Sequence, residues 1–219
     1  MTNEKKVITL VEQQKGNKKR FNIYLNEEYA FAVHEDVLVS FHLYKGKEIE
    51  HHEMELICST EEENKAWQKA LRYINYKWRT ESEVRNHLLQ LDYEPLLVSN
   101  IIQRLKKMEF INDQQYATSY IEQRIRHKPR GKKMMEYELK KKGVNSSDIE
   151  SGLQNISQEI EFQMAFELLH KRLHRYRDEE WKRAKQKMGL YLQNKGFNME
   201  IIHRVLEYYK ENILGNNDL

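Results

Sequence analysis

Cysteine is almost missing: Cys58 is the single one in 219 residues. One thiol closes no intramolecular disulfide, so the fold does not depend on oxidation. Without an activating partner in the sequence, Cys58 reads as a small apolar residue, buried or half-buried. No apolar run approaches the roughly 18 residues that span a bilayer. The first ten residues hold Lys5 and Lys6 but lack the apolar stretch of a signal peptide. The expected location is the cytoplasm, with no membrane partner. Also missing are a glycine-rich phosphate loop, a serine in a nucleophile elbow, and a carboxylate pair marked out for acid–base work. The chain therefore reads as a non-enzyme without a cofactor.

Metal signals are thin. In His51-His52-Glu53, neighbours on a helix point in different directions. Glu167, His170 and His174 share spacing but sit on one helix face, where three ligands seldom make a site without others converging. No metal is expected. Met108, Met134, Met135, Met164 and Met188 read as core filler.

What is present is charge: 32% charged against 39% hydrophobic residues, with a formal net charge of only +3. That balance suits thin layers of amphipathic helix, and several small cores in a row, better than one compact core. The charge is unevenly spread. Residues 48–63 carry seven glutamates and no Lys or Arg, so the rest of the helical part is more basic than the total suggests.

The first 60 residues read as α+β. Val7–Val11, Arg20–Leu25 and Tyr29–Val33 carry strand patterns. Turn signals lie at Lys15-Gly16-Asn17, Asn26-Glu27-Glu28 and Lys45-Gly46. A small antiparallel sheet is expected, with a short helix over Asp36–His42. From about Glu61 the period is helical. Thr80 with Glu83, Asn112 with Gln115, and Ser147 with Glu150 fit capping boxes. Pro95 suits a first helical turn, and Gly143 and Gly196 suit helix C-caps.

The helical part repeats itself. Leu88, Leu139 and Leu192 form one column; Tyr93, Val144 and Phe197 a second; Val98, Ile149 and Ile202 a third, followed four residues on by Ile102, Leu153 and Leu206. Ala66, Ala117 and Ala165 sit upstream, the third unit needing an insertion near 174–180. The expected divisions are 1–60 for the extension, then three-helix repeats at 61–111, 112–157 and 158–214. Together they are mainly α: tandem repeats in an elongated, curved body, whose long concave side favours a polymer over a small molecule. One irregular helical bundle with accidental internal similarity is the alternative.

Several stretches together resemble the RecX regulatory family: Ala70-Leu71-Arg72-Tyr73-Ile74, Arg79-Thr80-Glu81-Ser82-Glu83-Val84, Phe110-Ile111-Asn112-Asp113 with Tyr116-Ala117, Arg130-Gly131 leading to Glu138-Leu139-Lys140-Lys141-Lys142-Gly143-Val144, and Leu192 to Phe197 with Asn198, Glu200 and Ile201. Their order and separation carry the resemblance, which covers nearly all of 64–212. Asp92 departs from it, standing where the other units have Gly143 and Gly196. Leu89 and Leu91 likewise replace Lys140 and Lys142. The resemblance implies a regulator without catalytic residues in DNA repair and recombination. It would bind the RecA filament on DNA and inhibit its ATPase and strand exchange, with weaker or indirect contact to single- and double-stranded DNA.

Positive charge concentrates in two segments. Arg124, Arg126, Lys128, Arg130, Lys132 and Lys133 form one, with Lys140–Lys142 beyond. Lys171, Arg172, Arg175, Arg177, Lys182, Arg183, Lys185 and Lys187 form the other. Arg124 with Lys128, and Lys171 with Arg175, are spaced to share a helix face. Such cations neutralise phosphates or acidic protein surface, or are simply a solvated face. Arg72, Lys77 and Arg79 join the candidate binding residues. Tyr73, Tyr76 and Trp78, which flank Lys77 and Arg79, are read either as stacking rings or, for at least one, as core. A direct DNA- or RNA-binding module without RecA as partner is the competing reading; an enzyme with an unrecognised site is a third.

Overall fold

The computed structural model describes residues 5–176 and 179–214. Two compact units divide the chain. One comprises the residues through Lys77 with Val84–Leu105, and the other Trp78–Glu83 with the residues from Lys106 onward.

The first unit opens with strands β1 (Lys6–Gln14), β2 (Asn17–Leu25) and β3 (Glu28–His34), followed by helix α1 (Glu35–Ser40) and the two-residue β4 (Glu48–Ile49). The sheet is antiparallel in the order β3-β2-β1-β4. Asn26 and Glu27, both at positive φ, make the tight turn between β2 and β3, the geometry that matches strand twist. Ile8, Ile23, Val33, Val37, Leu43 and Ile49 point inward and meet Ile57 of the following helix.

That helix, α2 (His51–Tyr76), is one continuous rod of 26 residues. It starts ten residues before the expected onset of helical period, and the expected division after residue 60 falls within it. From His51 on, the glutamate-rich run proves to be helix whose buried stripe serves the sheet. Glu61 is the clearest case. It is 4% exposed, its carboxylate pairs with Arg20 at 2.8 Å, and it accepts the His34 amide at 2.7 Å. Glu48, Glu53 and Glu63 lie against Lys5, Lys47 and Arg104, so cations elsewhere in the unit balance the acidic segment. Cys58 is exposed, contrary to expectation, because its neighbour Ile57 takes the inward position. Partial burial and nearby Glu61 push its thiol pKa up, against the pull of Lys65.

The remaining helices are α3 (Glu81–Leu89), α4 (Pro95–Lys107), α5 (Asp113–His127), α6 (Lys132–Lys141), α7 (Ser146–Gln154), α8 (Gln158–His170), α9 (Trp181–Asn194) and α10 (Met199–Tyr209). With the end of α2 they make three three-helix modules. The repeat is visible bond by bond. After α3, α6 and α9 the amides of Tyr93, Val144 and Phe197 donate to Leu88, Leu139 and Leu192, closing the same C-terminal motif three times. Gly143 and Gly196 have φ of 78° and 88°; Asp92 takes the left-handed place with φ 61°, so the motif survives the loss of glycine. Ala66, Ala117 and Ala165 are all fully buried.

The caps agree with expectation at Thr80–Glu83, where both reciprocal bonds form, and at Asn112, which accepts the Gln115 amide. The third cap is corrected. Asn145, not Ser147, accepts the Asp148 amide, and Ser147 lies inside the first turn. Met135, Met164 and Met188 are core; Met134 is half-buried and Met108 is exposed, near the open end of α4. In the second unit the core runs without a break from Ala117 to Tyr209, so the second and third modules share one core.

Candidate functional site

The second unit carries the same joint twice. In the first copy the Thr80 hydroxyl donates to the Lys142 carbonyl at 2.6 Å, the Glu81 amide donates to Asp113 at 2.8 Å, and Ser82 sits against Gly143. In the second the Gly131 amide donates to the Lys195 carbonyl at 2.9 Å, the Lys132 amide donates to Glu161 at 3.2 Å, and Met134 sits against Gly196. In each copy a carboxylate from the next module's first helix caps the N-terminus of a short helix, where the dipole favours negative charge. A Cβ on Gly131 would overlap the backbone of Gly196 and Phe197. The second copy thus needs glycine on both sides.

The two copies differ in charge. In the first, Lys142 pairs with Glu83 at 3.0 Å. Burial is the largest single influence and disfavours both charges, but it is outweighed by the rest together: the bond to Lys142, the Thr80 amide and the charges of Lys142 and Arg79 lower the Glu83 pKa, and bonds and charges from Glu83 and Tyr116 raise that of Lys142. Nearby, Arg124 pairs with Glu138 at 3.0 Å and donates to the Tyr120 hydroxyl. In the second copy the equivalents of Glu83 and Glu138 are Met134 and Tyr191, and those of Lys142 and Arg124 are Lys195 and Arg172. Arg172 lies over the Tyr191 ring at 4.2 Å, and the Lys195 ammonium is 5.5 Å from the same ring. Burial first, then the charges of Arg130 and Arg172, lower the Lys195 pKa. No carboxylate among the described residues pairs with Arg130, Arg172 or Lys195.

The other sequence candidates are placed as follows. Arg72 and Lys77 are exposed at the end of α2, and Arg79 is half-buried before α3. Arg126 is exposed and 4.0 Å from Glu122. Lys132 is half-buried and Lys133 exposed at the start of α6. Lys182, Arg183 and Lys185 are exposed on α9, as is Lys187, which pairs with Glu179. Arg175 is exposed at the end of a single 3-10 turn, and Arg177 lies outside the described residues.

Two expectations of shared helix faces fail. Lys128 is the extended C-cap of α5, since the residue before Pro129 is kept out of helical geometry. Lys171 is the C-cap of α8, and Arg175 belongs to the following 3-10 turn. Of the aromatic trio, Tyr73 stacks on His87 at 3.9 Å, whereas Tyr76 and Trp78 are exposed. Sequence reading missed Lys195 and Tyr191. Continuing the repeat columns to charged positions would have found them.

The described residues contain no group of three or more His, Cys, Asp or Glu able to hold a metal ion, and no helix long and apolar enough to cross a membrane.

Comparison with known proteins follows the same modular order. The family model for the regulatory protein RecX N-terminal domain matches residues 6–50. Those for the first, second and third RecX three-helix domains match 66–105, 112–153 and 159–206. The chain is 33% identical over 212 residues to regulatory protein RecX of Limosilactobacillus reuteri (strain DSM 20016), covering 97% of this chain and 78% of that protein. To the Bacillus subtilis (strain 168) regulatory protein RecX it is 33% identical over 200 residues, 91% of this chain and 76% of the other. A crystal structure of regulatory protein RecX superposes with a TM-score of 0.77 at 33% identity, covering 92% of this chain and 99% of that one. The RecX crystal structure from Lactobacillus salivarius gives 0.65 at 28% identity, covering 68% and 96%.

Proposed function

This chain belongs to the RecX family of regulatory proteins, and from that premise we propose that it binds the RecA recombinase filament on DNA and restrains its ATP hydrolysis and strand exchange in repair and recombination. The observation that carries the reading is the run of four RecX domain matches, in order, along one chain. The exposed cations support it. Arg126, Lys128 and Lys133 around the α5–α6 loop, with Lys171, Arg175, Lys182 and Arg183 beyond, suit a polyanionic fibre of protein and nucleic acid. In this reading the protein acts in the cytoplasm, by binding and not by catalysis. Residues 1–60, 61–111, 112–157 and 158–214 are its working modules, with α2 shared between the first two.

The test is RecA's DNA-dependent ATP hydrolysis with the purified chain added below and at equal stoichiometry, using RecA from the same organism. The rate should fall with added chain, and strand exchange with it. Unchanged rates at equal stoichiometry would refute the proposal.

A second reading, direct binding to nucleic acid without RecA, is favoured by the clustering of cations, with Arg126 and Lys128 exposed and Arg130, Arg172 and Lys195 without a carboxylate partner among the described residues. It predicts that bare DNA binds with a steep salt dependence, and that Arg126→Ala with Lys128→Ala flattens it. Binding only in the presence of RecA would exclude it.

A further inference from the structure

We propose that Arg172 and Lys195, held against the Tyr191 ring, with Arg130 beside Lys195, form a phosphate-binding subsite that holds one phosphodiester group of a nucleic acid strand. The biological setting rests on the filament reading above, but the site is argued from the repeat itself. The second and third modules are built on equivalent columns, and the second shows what neutralises each cation within the protein: Glu83 for Lys142 and Glu138 for Arg124. At the equivalent places the second copy of the joint has Met134 and Tyr191. Both internal counter-charges are gone while both cations remain.

The fold also keeps these cations close. The Gly131 amide bound to the Lys195 carbonyl ties Arg130's neighbour to Lys195. Tyr191 carries Arg172 and Lys195 against one ring. All three side chains are half-buried, so each is partly stripped of water without an acid in exchange. Like charges so placed repel one another, and the lowered Lys195 pKa reflects that repulsion together with burial. An external anion relieves it. Two guanidinium forks and an ammonium match phosphate oxygens. Lys133 and Lys171, exposed beside Arg172 and Gly196 in the chain and its bonds, extend the positive charge past a single group. That extension fits a strand of repeating phosphates better than an isolated carboxylate. Tyr191 supports Arg172 and Lys195 through its ring face, which assigns it to positioning.

The experiment is fluorescence anisotropy of a labelled 20-nucleotide oligo-dT with the full chain, over a range of salt concentrations. Two variants remove the site in different ways. Arg172→Gln with Lys195→Gln deletes charge. Met134→Glu with Tyr191→Glu restores the carboxylates that the other module carries at the same places, keeping all three cations and a side-chain type that the repeat already accommodates. Lys18→Gln on β2 with Lys45→Gln in the turn before β4 controls for loss of bulk charge. Both site variants should lower the salt slope by about 0.7, the value for one phosphate neutralised on a single strand, and weaken binding about 5-fold at 0.1 M salt. The control should match the parent.

Parent-like slopes in the site variants overturn the proposal, as does a parent chain that does not bind oligo-dT. Polyglutamate binding that is lost in both site variants while oligo-dT binding persists also overturns it, and assigns the cluster to an acidic protein. Because these measurements contain no RecA, they separate from the filament reading. Variants that lose oligo-dT binding while the parent leaves RecA's ATPase untouched would keep the site and remove the filament role.

Discussion

Glu161 shows how one carboxylate serves two modules. It is 2% exposed, on the first helix of the third module, and it accepts the amide of Lys132 at the start of α6. Burial pushes its pKa up, and the bond and charge from Lys132 only partly offset that. An acid whose pKa is higher folded than unfolded binds its proton more readily in the folded state. Its contribution is complete below the unfolded value and declines as pH rises toward the folded one. Glu161→Gln keeps an acceptor for the Lys132 amide and removes the buried charge. Thermal melts should place this variant above the parent at pH 7, with the gap closing toward pH 4. A variant that melts lower at pH 7 would show that the ionised carboxylate is needed. Single residues were also where sequence reading was weakest. Lys128 and Lys171 differ from expectation because the facing of a residue near a helix end depends on where the helix stops, and Cys58 because its neighbour Ile57 takes the inward position; one residue turns the side chain by about 100°. Only Lys128 carried a usable warning, in Pro129.

At the scale of elements, the joints between short helices depend on close backbone approach. Gly131 lies in extended backbone, but a methyl there meets the Gly196 backbone; Gly196 adds φ of 88° and contact with Met134. Overpacking of that kind costs about 1–3 kcal/mol, and a left-handed non-glycine residue roughly 1–2 kcal/mol more. Urea unfolding should therefore rank Gly196→Ala below Gly131→Ala, and both below the parent. Gly16→Ala, with open space around it, should stay within about 0.5 kcal/mol of the parent. Equal stabilities for all three would mean that the joint tolerates separation.

Helices and their caps were largely legible. Thr80, Asn112, Pro95, Gly143 and Gly196 act locally, through bonds reaching three or four residues, and local bonds are what a sequence displays. The onset of α2 was not legible, because residues 48–63 have few apolar positions and the stripe that holds them, Met54 and Ile57, packs on a sheet distant in sequence. The replacement of Glu83 and Glu138 by Met134 and Tyr191 was present in the repeat columns, but its meaning needed the ion pairs of the other copy.

At the scale of the whole molecule, three-helix modules carry most of the exposed candidate cations, while the sheet and α2 hold most of the seven clustered glutamates in or near internal pairs. The proposed engagement of the RecA filament runs through the second and third modules. Hydrogen exchange on the full chain, alone and with RecA filaments assembled on single-stranded DNA with a slowly hydrolysed ATP analogue, reads this directly. Slowed exchange is predicted at 124–133 and at 171–187, with 6–34 unchanged. Exchange unaltered in both helical segments, or slowed only in the N-terminal strands, would contradict it.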